Sequence, residues 1–280
     1  MTSKMNKYPN NIEQHLPMKR SNIHTIILLA IFSFYASLAM AQKTLPHIKN
    51  SAYRCGEKLT FRVHYGVIDA GECSLEIKAP FEKVGPRDVY HVVGIGKSLG
   101  AFNWFFKVED RYETFLDADA ISPWVFIRRV NEGGYKITQD YSFNPYKNTV
   151  STGKEVKEVP DNIQDLLSSF YYARTLDYNN LKEGDVLTIE IFLDNKIYPM
   201  GIKYLGKQTI ETKLGTFPCM KFSPQLQKGR IFKDQEGMTL WISDDLNHLP
   251  IRVESELLIG SIKIDLSSYS GLANIINKTQ

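Results

Sequence analysis

The chain has 280 residues, with 34 Lys and Arg against 31 Asp and Glu, a formal net charge of +3. With 43% hydrophobic and 23% charged residues it is globular material, which excludes wholesale disorder. Eighteen Gly, 12 Pro and 3 Cys exclude a collagen-like repeat and a dense disulfide scaffold.

The first segment reads as an address. Met18-Lys19-Arg20 is a basic start, residues 26–38 are largely apolar, and Ala39-Met40-Ala41 is a small-x-small cleavage site before Gln42. That pattern predicts a secretory signal peptide with its core at 18–41, inside a pre-sequence 1–41. The unbroken apolar run, 26–36, is too short for a membrane span. No Cys follows the site to take a lipid. Residues 1–17 are polar and read as a long leader or as a start at Met18. The pre-sequence holds Lys4, Lys7, Lys19 and Arg20 against Glu13, so the chain from Gln42 keeps 30 basic and 30 acidic residues. The net charge of +3 thus belongs to the leader. No later run of Lys and Arg could track a phosphate backbone, so no nucleic-acid partner is expected.

From residue 57 onward the apolar residues recur with period two. Strands are predicted at 59–65, 73–78, 89–95, 108–116, 124–130 and 135–143, the last two joined by the hairpin signal Asn131-Glu132-Gly133-Gly134. More follow at 186–193, 197–205, 207–213, 219–223, 238–242, 251–258 and 261–266. One segment changes period. Over 161–174, Ile163, Leu166, Leu167 and Phe170 share a helical face, with Pro160 before it. Asp161 is placed to cap its N-terminus with Gln164 completing a capping box, and Arg174 suits the dipole of the last turn. The predicted fold is mainly β: residues 42–280 form one domain, a large antiparallel sheet curved into an open or half barrel or sandwich, with one central amphipathic helix packed on it.

Catalytic motifs fail for want of context. Gly96-Lys97-Ser98-Leu99-Gly100 matches a nucleophile elbow, but that device needs strand–helix alternation, so a turn is the better reading. As a P-loop it fails at His91, where the first glycine belongs. The histidines of the mature part, His47, His64, His91 and His248, have no metal-ligand spacing. Asp244-Asp245-Leu246-Asn247-His248 lacks the glycine and distal glutamate of a calcium loop and reads as a hairpin turn. No metal, cofactor or catalytic residue is predicted. Cys55, Cys73 and Cys219 leave two alternatives, one oxidised pair with a thiol over, or buried reduced thiols.

Aromatic residues carry more. Phe102, Trp104, Phe105 and Phe106 fill four of five positions, which cannot all point to one side of a strand, so they are candidates for a pocket or a contact patch.

Four stretches, in this order and spacing, resemble Domain of Unknown Function family 3108. They are Gly56-Glu57-Lys58-Leu59-Thr60-Phe61 with Tyr65-Gly66 and Ala70-Gly71; Val108-Glu109-Asp110-Arg111-Tyr112-Glu113 with Asp117 and Pro123; residues 164–174; and Trp241-Ile242-Ser243-Asp244-Asp245 through Pro250-Ile251-Arg252. The resemblance covers most of 53–272. It implies an exported, β-rich protein of the Gram-negative periplasm with no assigned activity and no catalytic residues to carry over. The family's sheet is similar to the half-barrel of lipoprotein carriers, which is an analogy of fold alone.

The resulting expectation is a non-catalytic periplasmic envelope protein, or one secreted or associated with the outer membrane. It would bind an apolar ligand, a lipid or acyl chain, or an envelope partner. The candidate binding residues are Phe102, Trp104, Phe105, Phe106, Asp110, Arg111, Gln164, Asp165 and Arg174. The polar five repeat in the family-like segments, and the alternative for each is a structural ion pair or hydrogen bond holding helix to sheet. Two other functions stay open. One is an enzyme acting on an envelope polymer through paired carboxylates among Glu109, Asp110, Asp140 and Asp165. The other is a protein-interaction module in outer-membrane assembly.

Overall fold

The computed structural model describes residues 43–225, 237–257 and 260–279. The chain divides into units 1–43 and 44–280, and the description below concerns the second. The predicted signal peptide lies outside the described residues.

The chain enters the middle of a single antiparallel sheet. β1 (Lys58–Tyr65) pairs with β2 (Ile68–Ile77). After β3 (Glu82–Val84), which pairs only with the next strand, come β4 (Arg87–Ser98), a helical turn α1 (Phe102–Phe105) and β5 (Glu109–Asp117). Then follow β6 (Pro123–Glu132), β7 (Tyr135–Asn144), β8 (Thr149–Ser151) and β9 (Val156–Glu158), each on its predecessor. Helix α2 (Leu166–Ala173) carries the chain to the opposite edge. From there β10 (Val186–Leu193), β11 (Lys196–Thr212), β12 (Gly215–Pro224), β13 (Met238–Ser243), β14 (Pro250–Glu256) and β15 (Ser261–Ser270) return to the other side of β1. The sheet order is β10-β11-β12-β13-β14-β15-β1-β2-β4-β5-β6-β7-β8-β9, and among the described residues no ladder closes it into a barrel.

Side chains roll the sheet instead. The segment before α2 makes a parallel bridge to β10: Gln164 N–H donates to Glu190 O (2.9 Å) and Phe192 N–H to Gln164 O (2.8 Å). Phe192 then packs against Tyr141 and Phe143 of β7, with ring centroids 5.1 and 6.3 Å away. Arg128 Nη1 and Gln139 Nε2 both donate to Asp194 Oδ1, just past β10 (3.0 and 2.9 Å). The largest core cluster forms here, where Val92, Leu116, Phe126, Tyr141 and Phe192 meet Leu167 and Tyr171 of α2.

The predicted strands are present, with differences that have local causes. The strands expected at 197–205 and 207–213 are one strand, β11. A bulge between Tyr204 and Lys207 absorbs Leu205-Gly206, with Gly206 at φ +94°, and pairing with β12 resumes beyond it. Strands β3, β8 and β9 have three residues each, too few for alternation to register. The end of the strand expected at 251–258 falls partly outside the described residues.

The helix is shorter than expected and is capped differently. Asn162 adopts φ +58° and the backbone of Gln164 is held by β10, so no helix can start at Asp161. Asp165 is the cap. Its Oδ1 accepts the N–H of Leu167 (2.7 Å) and Ser168 (2.8 Å), and Ser168 Oγ accepts the N–H of Asp165 (2.8 Å). That is a capping box with serine in the role expected of Gln164. Asp161 instead accepts from Asn148 Nδ2 (2.9 Å). Ile163 is buried from the extended segment, and Leu166, expected to be covered, is 40% exposed. Among the described residues no helix is long and apolar enough to cross a membrane.

Candidate ligand-binding cleft

On the inner face of the rolled sheet α2 leaves space on both sides. Period-two alternation points Phe61, Leu75, Tyr112, Val253 and Ile264 inward, and they line one lobe of about 330 Å³. Leu187, Met200, Ile202, Phe222 and Ile242 line a second lobe of about 220 Å³. Leu166 and Phe170 of α2, and Leu240 and Pro250 across from them, border both lobes. The helix is therefore a ridge in a two-lobed apolar cleft. Gly94 in β4 lets it sit close: a Cβ there would lie 3.3 Å from Leu75 and 3.5 Å from Leu167.

Polar groups gather at one border of the larger lobe. Asp110 lines it and accepts the N–H of Asn131 (3.0 Å). Glu132 faces Asp110, and its pKa is raised by burial first and then by the Asp110 carboxyl beside it. Arg128 lies with Cζ 5.7 Å from the centre of the Tyr112 ring.

The residues singled out in the sequence fall in three places. Asp110 is in the cleft. Arg111 is on the outer face of β5, where its Nε donates to Glu113 Oε1 (2.7 Å). Phe102, Trp104, Phe105 and Phe106 lie outside the cleft, on α1 and just after it. Gln164, Asp165 and Arg174 fix the helix. Gln164 Nε2 donates to Ile121 O (3.1 Å) and Asn162 O (3.0 Å). Arg174, expected in the last turn, is the C-cap residue of the helix, and its side chain is turned inward. Its guanidinium is buried against Glu57, with Nη1–Oε1 2.5 Å and Nη2–Oε2 2.8 Å, because Glu57 is the buried acid within its reach. Glu57 was not singled out, since its partner lies 117 positions away and no local pattern marks it.

Of the acids considered for catalysis, Glu109 pairs with Lys107 (2.8 Å), Asp140 with Arg129 (2.5 Å), and Asp165 caps α2. Ser98 of the elbow-like motif donates to Asn103 Oδ1 (2.7 Å) and accepts the N–H of Val108 (2.9 Å), closing the β4–β5 connection. Asp245 accepts from Ser243 Oγ and from the N–H of Asn247 and Asn277 (each 2.9 Å), which makes 244–248 a braced turn. The three cysteines are free thiols; burial pushes Cys73 up to about 11 and Cys219 to about 12. Among the described residues no His, Cys, Asp and Glu cluster could hold a metal ion.

Asp165 combines full burial with three donors. Burial raises its pKa to about 6, against the lowering pull of Thr114 Oγ1 (2.6 Å) and the two helix N–H groups. The folded state thus binds this proton more tightly than the unfolded chain. The carboxyl's contribution to stability is greatest below pH ~4, declines as pH rises towards 6, and is level above. Asp165→Asn keeps the capping oxygen, and the Thr114 hydroxyl can turn to accept from the amide. It is expected to stay within about 1 kcal/mol of wild type at pH 7 and to lose this slope, whereas Asp165→Ala costs roughly 1–2 kcal/mol. Urea denaturation at pH 4, 5, 6 and 7 reads both effects.

No curated protein matches the chain in sequence. A solved β-barrel-like protein of Domain of Unknown Function DUF1849 from Brucella abortus is similar in fold, with a TM-score of 0.51 at 10% identity over 78% of this chain and 99% of that one. A protein described as a candidate lipoprotein from Parabacteroides distasonis aligns with a TM-score of 0.36 at 13% identity, over 81% of this chain and 100% of that one. A candidate exported protein with a YmcC-like fold from Bacteroides fragilis gives 0.30 at 12% identity, over 81% and 100%. The sequence profile of the family described as "protein of unknown function (DUF3108)" matches residues 60–267, from β1 to within β15. The chain belongs to the DUF3108 family.

Proposed function

We propose that the protein is a non-catalytic binding protein of the cell envelope that holds the acyl part of a lipid in the cleft beside α2. The observation that carries this reading is the pair of apolar lobes, about 330 and 220 Å³, left unfilled on either side of the helix. Concave, apolar-lined space open to solvent is the kind of site that takes an apolar ligand. The leader-like pattern at 18–41 supports export, and this reading takes the periplasm as the compartment.

The test is native mass spectrometry of the purified full chain, together with titration of cis-parinaric acid, a fluorescent fatty acid. Saturable binding is expected. Leu240→Arg, which puts a charge where both lobes meet, is expected to weaken it at least tenfold, since a buried unpaired charge costs more than 1.4 kcal/mol. Should that variant fail to fold, Val253→Trp, which fills the larger lobe alone, replaces it. No co-purifying lipid together with no parinarate binding would sink the reading.

A second reading draws on Asp110 and Glu132. A carboxyl with raised pKa beside another is an arrangement for general acid–base work on an envelope polymer. Hydrolysis of purified cell-wall polymers by the wild type, lost in Asp110→Asn, supports it, and no hydrolysis removes it.

A further inference from the structure

The geometry points to a headgroup site beside the cleft: the ligand is a single-chain amphiphile whose uncharged, hydroxyl-bearing head, glycerol or sugar, sits in a polar chamber past the end of α2. The inference rests on the reading of the cleft as an acyl site and adds to it the class of lipid.

The chamber has a volume of about 660 Å³ and lies among the residues after α2, the 244–248 turn and the bulged part of β11. Arg174, Tyr178 and His248 line both this chamber and the smaller apolar lobe, so the two spaces adjoin. The smaller lobe shares Leu166, Phe170, Leu240 and Pro250 with the larger one. A chain laid along this path leaves its polar end in the chamber. The β11 bulge builds one wall. Phe222 and Met220, two apart in β12, face the same way, and they pair with Tyr204 and Lys207. Plain alternation would send Lys207 to the face opposite Tyr204, and the bulge at Leu205-Gly206 brings both to the chamber instead.

The lining decides the chemistry of the head. Its charges offer no surplus of cations. Lys207 pairs with Asp244 (2.6 Å), and Arg174 is held by Glu57. Asp245 is engaged by Ser243 and by the N–H groups of Asn247 and Asn277. Lys49 and Asp177 remain, one of each sign and both exposed. Such a lining does not select a phosphate or carboxylate head. Two side chains have hydrogen-bonding capacity left. Tyr204 is only 7% exposed, and among the described residues its hydroxyl has no partner. His248 stands at the junction with φ +46°, and its Nδ1 lies 2.8 Å from the carbonyl oxygen of Arg174. A carbonyl only accepts, so Nδ1 carries the proton. Nε2 of the uncharged ring is then an acceptor, without a partner among the described residues. An ionised carboxylate or phosphate has no proton to give this nitrogen. A hydroxyl donates to it, and a second hydroxyl can donate to or accept from Tyr204.

The test is displacement of cis-parinaric acid from the full chain by probes of equal chain length, each below its micelle concentration: 1-monolauroylglycerol, dodecyl glucoside and lauric acid. The glycerol or the glucoside probe is expected to bind about tenfold tighter than lauric acid, and the tighter of the two tells glycerol from sugar. Tyr204→Phe/His248→Asn, which removes the hydroxyl and Nε2, is expected to cancel that preference and leave lauric acid unchanged. Asparagine suits the positive φ and puts an amide near the place of Nδ1. Should the double variant fail to fold, Tyr204→Phe alone, which keeps the ring on Phe222 (centroids 5.2 Å apart), is expected to lose roughly threefold of the preference. Leu240→Arg is expected to weaken all the probes alike, because it acts on the chain and not on the head. Lauric acid bound as tightly as both uncharged probes, or a preference that survives the variants, overturns the headgroup site and leaves the acyl reading standing. No binding of any probe overturns both.

Discussion

Arg174→Ala is expected to destabilise the protein by about 3–5 kcal/mol, the range for removing one partner of a buried ion pair. For a chain of this size that lowers the melting temperature by on the order of 10 °C. Burial alone would lower the pKa of Arg174, but Glu57 more than offsets it, so the guanidinium stays charged. It makes four hydrogen bonds. Besides the two bonds to Glu57, Nη2 donates to Ala52 O (3.1 Å) and Nε to Asn247 O (2.9 Å). The rings of Tyr53, Tyr171 and Phe170 surround it at 5.2, 5.4 and 5.7 Å. Alanine leaves the Glu57 carboxylate and both carbonyls without this partner in a dry site. Arg174→Lys is expected to recover only part, since one ammonium cannot reproduce the planar fork. Glu57→Leu/Arg174→Met, which removes both charges, is expected to recover most of the loss. Urea denaturation of wild type and the three variants reads these differences. A cost below about 1 kcal/mol for alanine would mean that the pair does not hold the fold.

That pair also marks where local reading of the sequence stops. The strands were legible because alternation is a property of neighbours: 108–116 and 135–143 lie close to β5 and β7. So was one helix near residue 170, because Leu166, Leu167 and Phe170 recur at its spacing, although the residue buried beside Leu167 is Tyr171. Its start was not legible. Asp161 and Asp165 are equally good caps by residue type, and the choice is made by β10, which takes the backbone of Gln164. The site was legible in pieces. Asp110 lies in the cleft, and Asp165 and Arg174 tie helix to sheet as the structural alternative held. The pattern puts Leu166 and Phe170 on the face that packs on the sheet, because it shows which side chains are apolar and not whether anything fills the space opposite. Leu240 and Pro250 depend on a sheet that joins the two ends of the chain.

Asp117→Ala is expected to cost about 3 kcal/mol, because it leaves a guanidinium and three N–H donors without their shared acceptor. The carboxylate is wholly buried between β5 and β6. Arg87 grips it through Nε (2.7 Å) and Nη2 (2.5 Å), and Trp124 Nε1 donates to it (2.9 Å), as do the N–H groups of Asp119 (3.0 Å) and Ala120 (2.8 Å). These bonds brace a turn that needs bracing: Ile121, β-branched, sits at φ +49° with its side chain in the core. The carbonyl of that residue accepts Gln164 Nε2, so slackening the turn also loosens the approach to α2. The pH dependence has a definite sign. Burial works to raise the Asp117 pKa, but Arg87, the two backbone N–H groups and Trp124 outweigh it and hold it below the ordinary value of 3.8. A lowered folded pKa means that the stabilisation is complete above pH ~4 and is lost as pH falls through the folded value. The gap between wild type and Asp117→Ala is therefore expected to be constant from pH 5 to 7 and to narrow in acid, while the Asp165 slope runs the other way between pH 4 and 6. Guanidinium denaturation of wild type, Asp117→Ala and Asp165→Asn from pH 3 to 7 separates the two. A gap that widens in acid would show that the Asp117 carboxylate is not what holds the turn.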